Sequence, residues 1–477
     1  MTTTDVTSEP PTETASVPPP AIDELAGRFL GQIITPRDAN YDEARSTWNG
    51  LIDKRPAVIA KCLGNSDIVA ALAFAKEHGL PLAVRGGGHG VAGYGVCDDG
   101  IVIDLSLMRG VRVDPNNRTV RVQGGATVAD LDRETQMFGL ATPSGNVSTT
   151  GVAGLTLSGG LSHLRRKHGM SVDNLLSADV VTAAGEILTA NANENAGLFW
   201  AIRGGGGNFG IVSSFEFRLH EVGPLVSLAM VMYPLEMGRE VLRFWRDFNE
   251  SAPDEVTSDA IIWKVPPAPM FPPEIHGRSI MAITAVHCGD TAEGERVLAP
   301  LRQIGTPLFD MSGPLPWVAL QSAFDEPFPA GLRYYWKSLY LDDMSDQTIE
   351  AILERTADRP SDMTFIPIRH LGGAIERVSD AETAVANRAA PYLLSLDNAW
   401  VDPAADERNV AWVRSFWTAM QAHSQGGVYL NFAGTRDEGA AMAKAGHRAN
   451  YDRLAALKAA YDPENLFRLN NNVRPAG

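Results

Sequence analysis

The placement of glycine constrains this chain more than any other feature. Many of its 45 glycines fall in three clusters, at residues 86–95, 145–160 and 204–210. Glycine reaches positive φ at no steric cost and lets backbone approach a ligand closely. A single glycine pair marks an ordinary turn. Gly86-Gly87-Gly88 and Gly204-Gly205-Gly206-Gly207 together call for one large phosphate-bearing group lying against several loops. Two stretches match G-x-G-x-x-G: Gly88-His89-Gly90-Val91-Ala92-Gly93 and Gly205-Gly206-Gly207-Asn208-Phe209-Gly210. A dinucleotide fingerprint needs a strand before the glycines and a helix after them. Here the first copy runs into Tyr94-Gly95-Val96-Cys97-Asp98-Asp99-Gly100, which is turn chemistry, and the second into a strand over 211–219. A Rossmann fold is disfavoured.

Periodicity around the clusters predicts helices over 65–79, capped by Asn65-Ser66-Asp67, and over 127–138, ending at Gly139. Strands are predicted over 80–84, 101–105, 118–123, 175–183 and 211–219. After residue 221 prolines become frequent and aromatic strand-like runs appear over 279–287, 332–341 and 427–432, with helices over 236–250 and 406–424. The fold class read from this is α+β, with an antiparallel second half covered by helices on one face. Boundaries fall near 221 and 425. Residues 1–20, rich in Thr, Ser, Glu and Pro, read as a disordered tail.

Composition narrows the function. With 41 Lys plus Arg against 57 Asp plus Glu, a net charge of −16 and no basic block argue against general nucleic-acid binding. No apolar run is long enough for a membrane helix, and the N-terminus lacks the pattern of a secretory signal. Cys62, Cys97 and Cys288 are scattered without metal-ligand spacing, as expected of thiols in a reducing, cytoplasmic setting. No GxxxxGK, HExxH or GxSxG motif occurs, and no metal site is expected. His89 stands apart, because an imidazole flanked by glycines is open to a ligand.

The stretch Arg85-Gly86-Gly87-Gly88-His89-Gly90 after a short strand resembles the cofactor loop of the vanillyl-alcohol-oxidase superfamily of flavoproteins. Gly151-Val152-Ala153-Gly154, the run from Ser158 to Gly169, Asp173-Asn174, the run from Phe199 to Val212, Tyr429-Leu430-Asn431-Phe432 and the run from Tyr461 to Asn470 resemble the berberine-bridge-enzyme-like branch. The resemblance runs from about residue 35 to the end. It implies a two-part, PCMH-type FAD-binding domain, from residues 21–220 and a C-terminal return at 426–477. A substrate-binding domain at 221–425 would roof the flavin. It further implies cofactor contacts from Arg85, Gly86, Gly87, Gly88, Gly90, Gly145, Val147, Thr150, Gly151, Gly154, Gly159, Gly160, Gly207, Asn208, Gly210, Val212, Asn470 and Asn472. His89 would carry the flavin through its 8α-methyl, a reaction for which a neutral imidazole is the nucleophile.

One departure bears on attachment. Many relatives form a second flavin bond from a cysteine four positions before the Gly-Val-x-Gly segment, and Val147 holds that place here. Valine forms no thioether, so a single link through His89 is expected, resembling the oxidases that act on hydroxylated nicotine. Thr150 lies where the family tunes oxygen reactivity, and its valine-like shape points towards an oxidase. Leu161 replaces a tyrosine that many relatives use. Candidate groups for substrate chemistry are Tyr429, Asn431 and Lys337, with His163 and His370 behind them. For Lys337 a purely structural cation is an equal alternative. The expected reaction takes hydride from a carbon bearing a hydroxyl or amine in a small neutral or aromatic substrate, with O2 as acceptor, in a monomer or homodimer. A quinone-linked dehydrogenase, an oxidative ring-closing enzyme and a flavin-carrying binding protein stay open.

Overall fold

The computed structural model describes residues 17–434 and 439–477. Residues 1–16 of the expected tail lie outside the described residues. Its last prolines do not: Pro19 and Pro20 open a helix, Pro19–Gly27, since proline is pre-organised for a first turn.

The first half builds two main sheets, and a two-stranded pair of Leu140–Ala141 with His220–Glu221. One runs in the order Gln32–Ile34, Val58–Lys61, Ile101–Asp104, Leu82–Arg85, the last three mutually parallel. Val-Ile-Ala-Lys and Ile-Val-Ile-Asp are almost wholly buried, as apolar runs covered on both faces require. The second sheet is antiparallel, in the order Val111–Asp114, Thr119–Gln123, Ile211–Arg218, Leu175–Val181, Ile187–Asn191. Helix Val128–Thr135 begins with a reciprocal capping box between Thr127 and Asp130. Helix Asn65–Glu77 differs from expectation, because its N-cap is Gly64 and no side chain caps it. Asp67 instead turns back to accept from the backbone N–H groups of Leu30, Gly31 and Leu63, tying the entry segment to the sheet.

The second half is one antiparallel sheet. Its order is Phe309–Asp310, Leu225–Pro234, Ser279–His287, Val256–Lys264, Ile366–His370, Tyr392–Trp400, Arg333–Leu341, with Gly313–Pro316 also on Leu225–Pro234. Strand alternation decides what each face does. Ala260, Ile262, Tyr335, Leu339, Ile366 and Ile368 pack under helices Gly238–Ser251, Asp346–Thr356 and Asp406–Met420. Trp245 and Phe416 anchor this layer; burying a large apolar side chain stabilises by about 1.5–3 kcal/mol. The alternate positions Ile261, Trp263, Tyr334, Trp336 and Phe365 form a separate aromatic cluster on the opposite face. That face looks towards the first half.

The chain then returns. Residues 427–432 do not form the expected strand: Gly426 and Gly427 hold φ of 90° and 100°, and Leu430–Phe432 is a 3-10 turn. Ser338 captures this segment through Tyr429 N at 3.2 Å. Helix Tyr451–Tyr461 follows, and the final residues cross the first half again. Val473 N donates to Asn208 Oδ1 at 3.0 Å. The fully buried Lys458 ammonium donates to Asn208 O (2.7 Å), Asp462 Oδ2 (2.6 Å) and Phe467 O (3.0 Å). Among the described residues no helix is long and apolar enough to cross a membrane.

Candidate active site

A cavity of about 370 Å³ lies between the glycine loops, the C-terminal return and the aromatic face of the large sheet. All three glycine clusters reach its wall, through Gly86–Gly88 and Gly90, Gly145 with Gly151 and Gly154, and Gly205–Gly207 with Gly210. Two structural demands explain the choice of glycine. Gly87 and Gly151 cross so closely that a Cβ on Gly87 would stand 2.4 Å from Gly151 N, and one on Gly151 would stand 2.4 Å from Gly87 N. By contrast, a Cβ at Gly90, Gly154 or Gly207 would meet no protein atom within 4 Å. Those positions keep open a volume that side chains would fill.

The wall also holds polar atoms without partners. Asn146 Oδ1, Asn470 Oδ1 and His447 Nε2 are buried and unbonded among the described residues. Native interiors rarely leave such groups unsatisfied, so a ligand rich in hydrogen-bonding atoms fits this half of the cavity. The open glycine cradle and these orphaned atoms together match a flavin dinucleotide.

His89 sits at the rim of the cradle. Its ring stacks on Trp48, with centroids 4.7 Å apart and planes at 20°, and Nε2 lies 2.8 Å from Thr149 Oγ1. Burial holds the imidazole down to about 4, so it is neutral near pH 7. Trp48 stacks in turn on Tyr334, centroids 3.8 Å apart, and its Nε1 donates to Phe328 O at 3.0 Å. The neighbouring Asn49 bonds Val91 O at 2.7 Å and both backbone groups of Tyr334 at 2.9 Å. The histidine loop is thereby stitched to the large sheet. Val147 and Thr150 line the cavity. Their loop is clamped from the second half, with Gln321 Nε2 on Gly145 O at 3.1 Å and Ser148 N on Asp325 Oδ1 at 2.7 Å.

The expected cofactor residues divide into wall and support. Arg85 lines the cavity, but its guanidinium pairs with buried Asp104 at 2.7 Å and bonds Ser46 O at 3.2 Å. Val212 lines the wall. Gly159, Gly160, Asn208 and Asn472 do not. Asn208 braces the C-terminal return, donating to Gly205 O at 2.8 Å and Asn471 O at 3.2 Å. Gly159 and Gly160, at φ of 127° and 86°, turn their backbone towards Tyr429.

Tyr429 is the most elaborately held candidate. Its buried phenolic oxygen accepts from Gly160 N at 2.9 Å, Leu161 N at 3.1 Å and Asn431 Nδ2 at 2.9 Å. Burial raises the phenol above its ordinary value, and these donors and Arg369 offset only part of that rise. Tyr429, Asn431 and Leu161 all line the cavity. Lys337 does not. It occupies the helix-facing phase of its strand, and its ammonium lies 4.3 Å from the centre of the Trp417 ring. Lys337 is thus set apart from the cavity wall that holds Tyr429 and Asn431. His163 and His370 are also set back behind the wall, and both ring nitrogens of His370 lie within 3.0 Å of Arg166 Nη1.

Several cavity residues escaped the sequence reading: Trp48, Asp259, Arg369, Asp397 and the phenyl rings of Phe324, Phe328 and Phe365. The three charges come from adjacent strands on the cavity face, with Asp259 opposite Arg369 and Asp397 opposite Trp336 and Phe365. Each interrupts a largely apolar strand, which is the signal that could have found them. Asp259 is held by the fully buried Arg165, which also donates to Ser258 O at 2.9 Å and His370 O at 3.0 Å. Asp397 is pushed up to about 6 by burial, against the pull of Arg369.

Comparison with known proteins agrees with this geometry. A model described as an FAD binding domain matches residues 56–191, and one described as berberine and berberine like matches residues 428–474. An FAD-linked oxidoreductase of Dictyostelium discoideum is 32% identical over 460 residues, covering 95% of this chain and 97% of that protein. The crystal structure of 6-hydroxy-D-nicotine oxidase from Arthrobacter nicotinovorans superposes with a TM-score of 0.84 at 28% identity, covering 94% of this chain and 98% of the other. A xylooligosaccharide oxidase from Myceliophthora thermophila, in complex with xylobiose, gives 0.82 at 25% identity over 96% of this chain and 100% of the other.

Proposed function

The chain belongs to the berberine-bridge-like family of FAD-linked oxidoreductases, and from that premise we propose that it is an oxidase carrying FAD on a single covalent link through His89. It takes two electrons and two protons from a CH–OH or CH–NH group of a small substrate and passes the electrons to O2, releasing hydrogen peroxide. FAD, when bound, supplies the two-electron acceptor that oxygen regenerates. The observation that carries the reading is His89, a neutral imidazole within the glycine cradle and on the cavity wall. A neutral ring is the form that bonds to the 8α carbon. Val147, which lines the cavity, offers no sulfur for a second bond.

The remaining residues divide the work. The loops around Gly87, Gly151 and Gly207 shape the bed for the cofactor, and the sheet face closes over it and excludes water. Tyr429 takes the proton from the substrate hydroxyl or amine. Three N–H donors converging on its oxygen offset part of the cost that burial puts on the anionic phenol, as preorganised donors stabilise a developing oxyanion. Asn431 holds that oxygen from the side while anchored to Leu155 O at 3.1 Å.

The test is acid precipitation of the purified holoprotein. A pellet that stays yellow, with the colour becoming acid-extractable or lost in His89→Ala, is the expected result. Flavin that washes out of the parent protein with acid would overturn the covalent link. Oxygen consumption with stoichiometric peroxide on substrate addition is expected of the oxidase; dye reduction without oxygen uptake would make it a dehydrogenase.

A further inference from the structure

The family acts on substrates as unlike as a hydroxynicotine and a xylooligosaccharide, so the substrate class has to be read from this chain's own chamber. Its walls are aromatic. Phe328 meets Phe365 edge to face at 5.1 Å and Trp336 at 5.8 Å, and Trp48 meets Trp336 at 5.4 Å. Such faces accept a flat ring and offer little to the many hydroxyls of a sugar.

The polar groups of the sheet face are unevenly met. Asp259 is neutralised by Arg165, which lies wholly behind the wall. Arg369 has no equally close partner. Its nearest carboxylate oxygen, on Asp397, is 3.8 Å away, beyond hydrogen-bonding distance. Arg369 Nη1 is buried with no acceptor among the described residues, and Trp336 Nε1 is in the same condition. Both residues line the cavity. Among the described residues no buried carboxylate oxygen lacks a partner. Asp259 and Asp397 also line this face, but its unmet polar atoms are donors. The guanidinium is meanwhile held 5.0 Å over the ring of Phe432, another lining residue.

We propose that the substrate is a planar aromatic compound carrying an oxyanion, a carboxylate or an ionised phenol, which pairs with Arg369 while its ring lies among Trp48, Trp336, Phe328 and Phe365. This rests on the oxidase reading for turnover but not for binding. A guanidinium facing an oxyanion in a water-poor chamber makes one of the stronger hydrogen-bonded pairs available to a protein. A neutral aromatic offers these donors only an uncharged acceptor, in a bond roughly half as strong as the charge-assisted one.

Binding is measured without turnover. The holoprotein is titrated with benzoate, its neutral isostere benzamide, benzylamine and xylobiose, read by the visible flavin band and by tryptophan emission from the chamber. Benzoate is expected to bind at least ten-fold more tightly than benzamide. Arg369→Met is expected to weaken benzoate at least ten-fold while benzamide stays within two-fold, which also shows that the chamber is still formed; Arg369→Lys should retain part of the preference. Equal or tighter binding of benzamide, benzylamine or xylobiose, or benzoate binding indifferent to Arg369→Met, would overturn the proposal. No probe has to be oxidised, so a protein that binds benzoate through Arg369 yet oxidises its substrate with dye reduction and no oxygen uptake would refute the oxidase reading alone. If the protein takes up no flavin, tryptophan emission reads the same titration.

Discussion

Replacing Lys458 by methionine should detach the C-terminal return from the flavin-binding half. Methionine keeps the volume, so the loss is electrostatic. Lys458 and Asp462 are both fully buried, 2.6 Å apart, and removing one partner of a buried pair costs about 3–5 kcal/mol. Asp462 keeps two backbone donors, Leu466 N and Phe467 N, each at 2.8 Å, which favours the lower end. Phe467 O still receives Asn470 Nδ2 at 3.0 Å, but Asn208 O loses its lysine donor, adding about 1 kcal/mol or more. The expected destabilisation is about 4 kcal/mol, or roughly 10 °C for a unit of about 200 residues. Denaturant unfolding followed by circular dichroism reads the stability, and absorbance reads the flavin content, which should fall because Phe467, Leu469, Asn470 and Asn471 are cavity wall, as are Gly205–Gly207. Adding Asp462→Asn removes the stranded charge and should recover at least about 1 kcal/mol relative to the single variant. A loss below about 1 kcal/mol for Lys458→Met, or a double variant no better than the single, would refute the reasoning.

Three further outcomes are expected. Gly207→Val places a side chain where no protein atom lies within 4 Å, so it should give a folded, colourless protein whose apo stability matches the apo parent within about 1 kcal/mol; a fully yellow variant would contradict the cradle. With a substrate in hand, Tyr429→Phe should slow anaerobic flavin reduction by about 10²–10⁴-fold, whereas Lys337→Met, facing Trp417, should stay within a few-fold; the reverse ranking would restore Lys337 as the base. Burial pushes Asp132 up to about 6, so its ionised form costs folding stability above that pH and the cost fades as pH falls towards the unfolded value near 4. Asp132→Asn should therefore compare best with the parent at pH 7.5 and lose about 1–1.5 kcal/mol of that advantage by pH 5; a flat difference would show that Trp317 and Gln321, its partners at 2.9 and 3.0 Å, already hold it ionised without penalty.

Local patterns carried much of the fold. The apolar run Ile101–Asp104 and the Thr127–Asp130 box are visible in sequence because their causes lie within a few residues. The start of helix Asn65–Glu77 was legible but its cap misled, since Asp67 is claimed by Leu30 and Gly31 from a distant segment. Residues 427–432 misled for the opposite reason: their alternation suits a strand, but two positive-φ glycines and a side-chain bond from Ser338 override it. In the site, His89 and the glycines were legible because loop chemistry is local. Lys337 was not, because only the phase of its strand against the helices decides which face it takes. Asp259, Arg369 and Asp397 come from three strands brought together by sheet order, which no single window of sequence contains.

The crossing of Gly87 and Gly151 has a consequence for how such a protein can diverge. Each glycine is excluded from change by the other's backbone, so replacing both worsens the clash instead of relieving it, and no order of single steps leads out. Four residues away, Val147 faces the cavity and carries no such restriction. The bed is thus frozen while the side chain at position 147 is free to drift. A lineage built on this scaffold can change what its cavity presents there by one codon, long before it can reshape the loops beneath.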